Sequence, residues 1–367
     1  MELVPQPQLC FSQIASTLNQ ILFEPDTEAF HIMLCAVAAH TLKPHGYPPV
    51  WIMVVGPSGS GKTTVLDAFT KVPGTFRLNS LTPNTFLSGY KRKAEENSLL
   101  IKLGASPILL MKDFTSIISM RHEYKSEIIA QLREIYDGSF RKVTGMGNVI
   151  AWSGRLTLLT CCTAAVEDDR MTFRVMGDRF MEVHWKSPEP YGLVNYITNQ
   201  EIATNLTPVQ QLVNDYLSAP YSPLAKLTPK QHELLNSYAN AAAKLRTPVI
   251  WDDKGHSISN VFQTEAPTRT AQTLTSIVLA AASLDREPFV RDQDMELALR
   301  VTCDSVPPKR LRVLKLIQAK NWDEYAALPL WVVRKTLAEL EALGVLAAEN
   351  PTTRGREILT PEITRIL

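Results

Sequence analysis

Residues 50–64 read VWIMVVGPSGSGKTT, a short apolar run followed by a glycine-rich loop. The loop matches the pattern G-x-x-x-x-G-K-[ST] at every fixed position. Glycines let the backbone turn tightly and aim its N–H groups at one anion, and the spacing of Val65, Leu66 and Phe69 predicts that a helix follows. The candidate phosphate-binding residues are Gly56, Pro57, Ser58, Gly59, Ser60, Gly61, Lys62, Thr63 and Thr64. A chance match in an ordinary turn is the alternative, but the complete motif favours binding of a nucleoside triphosphate.

Three side chains account for the chemistry expected at this loop. Lys62 is expected to neutralise the β- and γ-phosphates of ATP, and the Thr63 hydroxyl is expected to ligate Mg²⁺. Asp113 follows the apolar run Ile108–Met111 and is a candidate second group for the metal. A carboxylate at the end of a buried strand can hold Mg²⁺ through water, whereas an ordinary strand-ending aspartate is the alternative. ATP and Mg²⁺ are therefore the expected cofactors.

The residue after Asp113 departs from a common pattern. Many P-loop ATPases place a glutamate there to orient the attacking water, whereas this chain has Phe114. Two explanations remain open. Either another carboxylate orients the water, with Glu95, Glu96 and Glu123 as candidates, or hydrolysis is slow and the protein works partly as an ATP-dependent switch.

Composition limits the class of protein. A chain of 367 residues is long enough for two or three domains. Its 45% hydrophobic and 20% charged residues are ordinary for a globular protein, and a formal net charge of +1 excludes bulk-charge binding of nucleic acid. Five cysteines without a C-x-x-C pair predict reduced thiols and a cytoplasmic location. We find neither a signal-peptide pattern nor an apolar run of membrane-spanning length, so no membrane partner is expected.

Strands alternate with helices in the first half of the chain, which predicts an α/β fold with a largely parallel sheet. A helix is expected at 27–42, with Phe30, Leu34 and Val37 on one stripe, and another at 123–137. After the loop, strands are expected at 75–79, 108–111, 156–160 and 180–185, and a β-hairpin at 139–152.

The second half of the chain is predominantly helical in pattern. A linker is expected from residue 187, then helices with a polar break near 246–265. Three helices and two strands after residue 306 are typical of a winged helix. The expected domains are an N-terminal helical segment (1–44), a P-loop core (45–186), a helical lid (187–305) and a winged-helix domain (306–367).

The order of these features resembles that of the AAA+ ATPases. The segment Met176-Gly177-Asp178-Arg179-Phe180 is similar to the Arg-Phe pair that precedes the last core strand in that family. The resemblance implies that Arg179 enters the ATP site of a neighbouring subunit, where a cation stabilises charge on the γ-phosphate. A salt-bridged surface arginine is the alternative. The resemblance also implies a polar residue near the γ-phosphate, either Thr163 or Thr160.

More specifically, the chain is similar to the pre-sensor hairpin branch of the AAA+ ATPases, which includes the minichromosome maintenance helicases and related phage or plasmid replication ATPases. The hairpin directly precedes the Thr163 strand, as it does there, and segments 227–246 and 266–269 resemble the helical lid of that group. The resemblance implies that Arg269 reaches back to the nucleotide. It further implies ATP bound between subunits of a homo-oligomeric ring or filament, with a hexamer expected. We find no counterpart of the N-terminal DNA-binding region of the replicative helicases.

Two basic surfaces are candidates for DNA contacts. Arg141 and Lys142 lie on the hairpin, which in a ring would project into the central channel. The other candidates lie on the last long helix and the wing tip, and they are Arg334, Lys335, Arg354 and Arg356. A solvated basic face is the alternative for both, and winged helices also bind proteins.

Three functions are compatible with these interpretations. The first is an ATP-dependent motor on DNA, such as a helicase, translocase or replication initiator of a mobile element. The second is an ATP-gated loader or regulator with weak hydrolysis that binds a protein partner through its winged helix. The third is a nucleotide-sensing scaffold of a defence complex, whose effector would be another chain because no nuclease or protease constellation occurs in this one.

Overall fold

A five-stranded parallel sheet lies at the centre of the protein. The computed structural model describes residues 9–88, 98–143, 149–168, 176–189, 192, 205–218, 224–252, 254–347, 358–359 and 361–367. The strands in these ranges are β1 (Trp51–Val55), β2 (Thr75–Leu78), β3 (Ile108–Met111), β4 (Ser139–Val143), β5 (Val149–Ser153), β6 (Thr157–Cys162), β7 (Phe180–His184), β8 (Val249–Trp251), β9 (Ile258–Val261), β10 (Leu346–Ala347) and β11 (Ile358–Leu359).

Helices surround this sheet in sequence order. The α-helices are α1 (Phe11–Ile21), α2 (Thr27–Leu42), α3 (Lys62–Asp67), α4 (Leu99–Leu103), α5 (Thr115–Ile118), α6 (His122–Tyr136), α7 (Ala165–Asp168), α8 (Thr207–Ser218), α9 (Pro229–Arg246), α10 (Thr268–Leu284), α11 (Asp292–Asp304), α12 (Pro308–Gln318), α13 (Trp322–Ala327), α14 (Leu330–Ala342) and α15 (Pro361–Thr364). Short 3₁₀ helices cover Pro44–Gly46 and Gly177–Arg179.

The strand order is β2-β3-β6-β1-β7, and every pair in the sheet is parallel. The chain leaves β1 toward the β2 side, whereas each later connection leads back toward β7. Because such crossovers are right-handed, the connections from β1 and from β6 lie on opposite faces of the sheet. The loops after these two neighbouring strands therefore diverge and leave a crevice, where ligands bind in sheets of this kind. The predicted α/β fold with a parallel sheet is confirmed.

Both faces of the sheet are covered, and alternate strand residues enter different cores. Ile52 and Val54 pack in a core formed with α2, α3 and α10. Their neighbours Trp51 and Val55 pack in the opposite core, which includes Phe114. Burial on both sides explains why the central strands are continuous apolar runs in the sequence rather than alternating ones.

Helix α2 is buried on all sides. Every residue from Ala29 to His40 is buried, because the helix lies between the sheet and α10. The single apolar stripe predicted from Phe30, Leu34 and Val37 was therefore too narrow. The same core contains residues of α1, α2, α9, α10, α11 and α12, so residue 44 is not a boundary between two separate cores.

Two further hairpins occur in the second half of the chain. The polar break near 246–265 contains the antiparallel pair β8–β9, which the sequence analysis missed. After α12, α13 and α14, the strands β10 and β11 also pair antiparallel. No helix in the described ranges is both long and apolar enough to cross a lipid bilayer. All five cysteines are free thiols.

His40 joins α2 to the amino-terminal end of β6. Its Nε2–H donates to the Ser106 carbonyl at 3.2 Å, and its Nδ1 lies 3.0 Å from the Thr157 hydroxyl, which serves as the donor when the ring is neutral. Burial lowers the pKa of His40 to about 4, and the hydrogen bond to Ser106 opposes this shift only in part. The folded protein therefore holds His40 neutral at pH values where the unfolded chain binds a proton.

This difference predicts acid destabilisation through His40. The unfolded state takes up a proton below about pH 6.5, whereas folded His40 stays neutral down to about pH 4, so its contribution is complete above pH 6.5 and is lost as the pH falls toward 4. The expected loss is about 3 kcal/mol. Urea unfolding at pH 7 and pH 4.5 should show a smaller pH effect in His40→Gln than in the wild type. His256→Gln, at an exposed position, serves as the control, and an unchanged pH effect in His40→Gln would contradict the prediction.

Candidate nucleotide-binding site

The glycine-rich loop leaves β1 at the carboxyl edge of the sheet, which is the edge formed by the carboxyl ends of the parallel strands. The Gly56 N–H donates to the Cys162 carbonyl at 3.1 Å and ties the loop to β6. A Cβ added to Gly56 would lie 3.0 Å from Cβ of Trp185 and 3.3 Å from Cδ of Lys62, so a side chain there would press on both. Gly61 has a φ of +86°, a conformation that glycine adopts without strain.

The helix after the loop is shorter than the apolar spacing suggests. Helix α3 ends at Asp67, and the chain continues to Val72 in turns with hydrogen bonds between residues three apart. Phe69, expected in the helix, lies in these turns and is fully buried. The amides of the loop, rather than the dipole of a long helix, are therefore the main backbone contribution to an anion site.

The ammonium group of Lys62 lies within the loop. The residue is 7% exposed, and Nζ donates to the Pro57 carbonyl and, at 3.2 Å, to Oγ of Ser60. Burial lowers the pKa of Lys62, while the nearby thiols and Asp113 act in the opposite direction. A phosphate in the loop would offer this cation a full anionic partner, which favours its charged form.

Asp113 and Thr163 are linked through Thr115 at the ends of β3 and β6. The Thr115 N–H donates to Oδ1 of Asp113 at 2.9 Å, and its Oγ1 accepts from the Thr163 N–H at 3.2 Å. The Asp113 side chain is exposed, and its Oδ2 has no hydrogen bond to a described residue. Thr160 is fully buried and donates to the Met111 carbonyl at 2.9 Å. Of the two candidate threonines, Thr163 is therefore the one at the crevice.

The polar groups at this edge fit Mg²⁺ in the presence of a triphosphate. Thr63 supplies a hydroxyl and Asp113 a carboxylate with one available oxygen. No group of three or more His, Cys, Asp or Glu side chains suited to a metal occurs in the described part of the chain. Mg²⁺ is commonly held by one or two protein carboxylates together with phosphate oxygens and water, so a dedicated protein cage is not needed.

Phe114 is a core residue. Its side chain is fully buried, and its ring centroid lies 5.4 Å from that of Phe180 in an edge-on arrangement. A charged side chain here would be buried against apolar neighbours at a large cost. Of the other carboxylates considered for orienting water, Glu123 is exposed in the first turn of α6, and Glu95 and Glu96 lie outside the described residues.

Arg179 lies at the amino edge of the sheet, the edge opposite the glycine-rich loop. Trp51 is paired with Phe180, and Val55 is paired with His184. Arg179 therefore lies just before the level at which β1 begins, about 16 Å along the strand from the loop. At that distance its guanidinium cannot reach a phosphate held by the loop of its own chain.

The environment of Arg179 is internal rather than exposed. The residue is 6% exposed and donates to the Met176 carbonyl at 3.0 Å and to Oδ2 of Asp137 at 2.6 Å. Its guanidinium also lies 5.6 Å from the ring centroid of Tyr136. In this conformation Arg179 does not project from the surface, which a finger toward another chain requires.

Arg269 belongs to the same cluster. Its guanidinium lies 3.6 Å from Oδ1 of Asp137 and 3.6 Å from Oδ1 of Asp178. This position corrects the expectation that Arg269 reaches the nucleotide of its own chain, because the first turn of α10 lies at the amino edge. The structure brings Arg179 and Arg269 together, and it separates both from Lys62, Thr63, Asp113 and Thr163.

The two hairpin cations face opposite sides of the β4–β5 ribbon, as successive strand residues must. Lys142 lies on the side of the buried Ile150 and Trp152, and its Nζ donates to Oδ1 of Asn84 at 2.9 Å. Arg141 is exposed on the other side, next to Val143. The expected joint basic surface of Arg141 and Lys142 is therefore wrong, and only Arg141 faces outward.

The cations of the C-terminal unit also differ in environment. Arg334 is exposed on α14, whereas Nζ of Lys335 lies over the Trp251 ring at 4.9 Å from its centroid. Trp251 in turn donates to Oε1 of Glu339 at 2.9 Å. Arg354 and Arg356 lie outside the described residues.

Comparisons with known proteins do not assign this chain to a family. No model of a known protein family matches the sequence, and no curated protein shows significant similarity to it.

Sequence reasoning missed two residues of these clusters. Thr115 connects Asp113 to Thr163, and Asp137 binds both arginines. An Asp–Gly pair between a helix and a strand, at 137–138, was the available signal for a residue at a turn. Its partners depend on strand order and could not be read from local sequence.

Proposed function

We propose that this chain is an ATPase of the AAA+ class that works on DNA as a ring or filament of identical subunits. The observation that carries the proposal is the placement of its two sets of candidate residues. The glycine-rich loop lies at the carboxyl edge of the sheet, and Arg179 and Arg269 lie at the amino edge. A site that needs both sets can form only between two chains.

Each set has a distinct task in the proposed mechanism. The loop amides and Lys62 bind the phosphates, and Thr63 and Asp113 hold Mg²⁺, which supplies neutralising charge during phosphoryl transfer. Thr163, linked to Asp113 through Thr115, orients the reacting end of the nucleotide. Arg179 from the adjacent chain stabilises charge that develops on the γ-phosphate, and this cation is available only in the assembled form.

DNA is the proposed substrate because of the hairpin and the C-terminal unit. Arg141 is exposed on a ribbon that also exposes Val143 (65%) and Val149 (56%), apolar side chains that favour contact with a partner. The order α12-α13-α14-β10-β11 supports a winged helix, and Arg334 is exposed on its third helix.

A second candidate function is an ATP-gated loader with slow hydrolysis. Phe114 favours it, because the position that commonly carries the water-orienting glutamate is part of the core. The same loop and arginines would then switch the assembly between two states rather than drive movement along DNA.

Hydrolysis measured against protein concentration tests the proposed function. The rate per chain is expected to rise with protein concentration, because each site needs two chains, and to rise further with DNA. Asp113→Asn should lower the hydrolysis rate at least about 100-fold by weakening Mg²⁺ binding at the site. Asp323→Asn, at an exposed position on α13, should behave as the wild type.

Strand displacement on a forked duplex distinguishes the two candidates. Unwinding by this chain alone supports the motor, whereas nucleotide-dependent assembly without unwinding supports the loader. A hydrolysis rate per chain that is constant over a hundredfold dilution into the monomeric range would contradict a site shared between chains.

A further inference from the structure

One carboxylate holds both arginines of the amino edge. Asp137 accepts from Nη2 of Arg179 through Oδ2 at 2.6 Å, and its Oδ1 lies 3.6 Å from Nη2 of Arg269. The two oxygens of a single group thus face the two cations that the proposed function assigns to a neighbour's γ-phosphate. A phosphate has the same chemistry toward guanidinium groups, with more charge and more acceptor oxygens.

The hold on Arg179 is incomplete. Nε of this buried guanidinium has no hydrogen-bond partner among the described residues. A buried donor without a partner is costly, so an anion able to engage Nε as well would bind Arg179 more favourably than Asp137 does. Asp137 itself is accessible, with 45% of its side chain exposed.

Asp137 is also attached to the base of the hairpin. It caps the carboxyl end of α6, and Gly138 follows with a φ of +89°. The Gly138 carbonyl accepts from the Gly154 N–H at 3.0 Å, and Ser139 pairs with Ser153 in the β4–β5 register. A displacement of the hairpin therefore moves the backbone that carries Asp137, while Arg179 and Arg269 are anchored on other elements.

We propose that Asp137 is an internal competitor for the γ-phosphate, which holds Arg179 and Arg269 in a resting position until a neighbouring nucleotide or a movement of the hairpin displaces it. This inference rests on the proposed function and adds a regulatory contact to it. Asp137 acts through the two arginines and is thus a positioning residue. Release exchanges one anionic partner for another and needs no further reactant.

Asp137→Asn tests this contact because it removes the charge and keeps the shape. Hydrolysis in the absence of DNA is expected to rise about threefold to tenfold, because the arginines lose an ionic partner of modest strength. Assembly with a slowly hydrolysed ATP analogue, followed by analytical ultracentrifugation, should occur at a protein concentration lower by a similar factor. DNA should then stimulate hydrolysis less than it does in the wild type.

Two further variants complete the experiment. Glu134→Gln removes an exposed carboxylate one turn earlier on α6 and should leave both readouts unchanged. Asp137→Ser, a shorter neutral side chain, carries the same expectation as Asp137→Asn and replaces it if thermal unfolding reveals a folding defect. Unchanged or reduced basal hydrolysis in a folded neutral variant overturns the proposal.

The binding of Mg·ATP separates the two possible failures. If the wild type and both Asp137 variants bind and hydrolyse Mg·ATP equally, the competing contact is wrong and the proposed function stands. If none of them binds Mg·ATP, the proposed function itself fails.

Discussion

Lys62→Ala is expected to weaken the binding of Mg·ATP at least about 100-fold and to abolish measurable hydrolysis. The lysine is 7% exposed and lies within the loop, so its loss leaves the phosphates without the cation that the folded loop holds in place. Alanine removes a desolvated charge, which means that the fold should tolerate the change. Isothermal titration with Mg·ATP gives the affinity, and phosphate release gives the rate.

Lys71→Ala is the matched control for that experiment, since Lys71 is an exposed lysine shortly after the same helix. Its affinity for Mg·ATP should equal that of the wild type. Retention of wild-type affinity in Lys62→Ala would show that the loop does not bind the phosphates, and the proposed function would be lost with it.

Arg179→Ala is expected to lower hydrolysis about 1,000-fold while the affinity for Mg·ATP changes little. The reason is geometric. Arg179 lies about 16 Å along β1 from the loop of its own chain and cannot contact a nucleotide bound there. Its effect on the rate must therefore come from the site of an adjacent chain. Arg133→Ala, an exposed arginine on α6, is the control and should be silent.

Mixing two inactive variants distinguishes a contribution between chains from a structural one. A chain with Lys62→Ala still carries Arg179, and a chain with Arg179→Ala still carries an intact loop. Mixed assemblies contain some interfaces with both groups, so part of the activity should return. Equal loss of binding and hydrolysis in Arg179→Ala, or no recovery on mixing, would reject the assignment of Arg179 to a neighbouring site.

Much of the fold could be predicted because it depends on local patterns. The strand at β1, the glycine loop, the strand before Asp113 and the helix at 27–42 are all present at or near the predicted positions. The β8–β9 hairpin was missed because its strands of three and four residues are only partly buried and give little apolar periodicity. The facing of Lys142 was predictable from strand alternation, yet charge alone had grouped it with Arg141.

Linear sequence was sufficient for the phosphate loop, because its glycines, Lys62 and Thr63 act within one turn and the strand that precedes it. Tertiary structure alone decided where the arginines lie. The parallel pairing of β1 with β7 places Arg179 at the edge opposite the loop, and the packing of α10 brings Arg269 to the same carboxylate, Asp137. Strand order and helix packing join residues far apart in the chain, so no local pattern encodes which edge of the sheet a side chain will occupy.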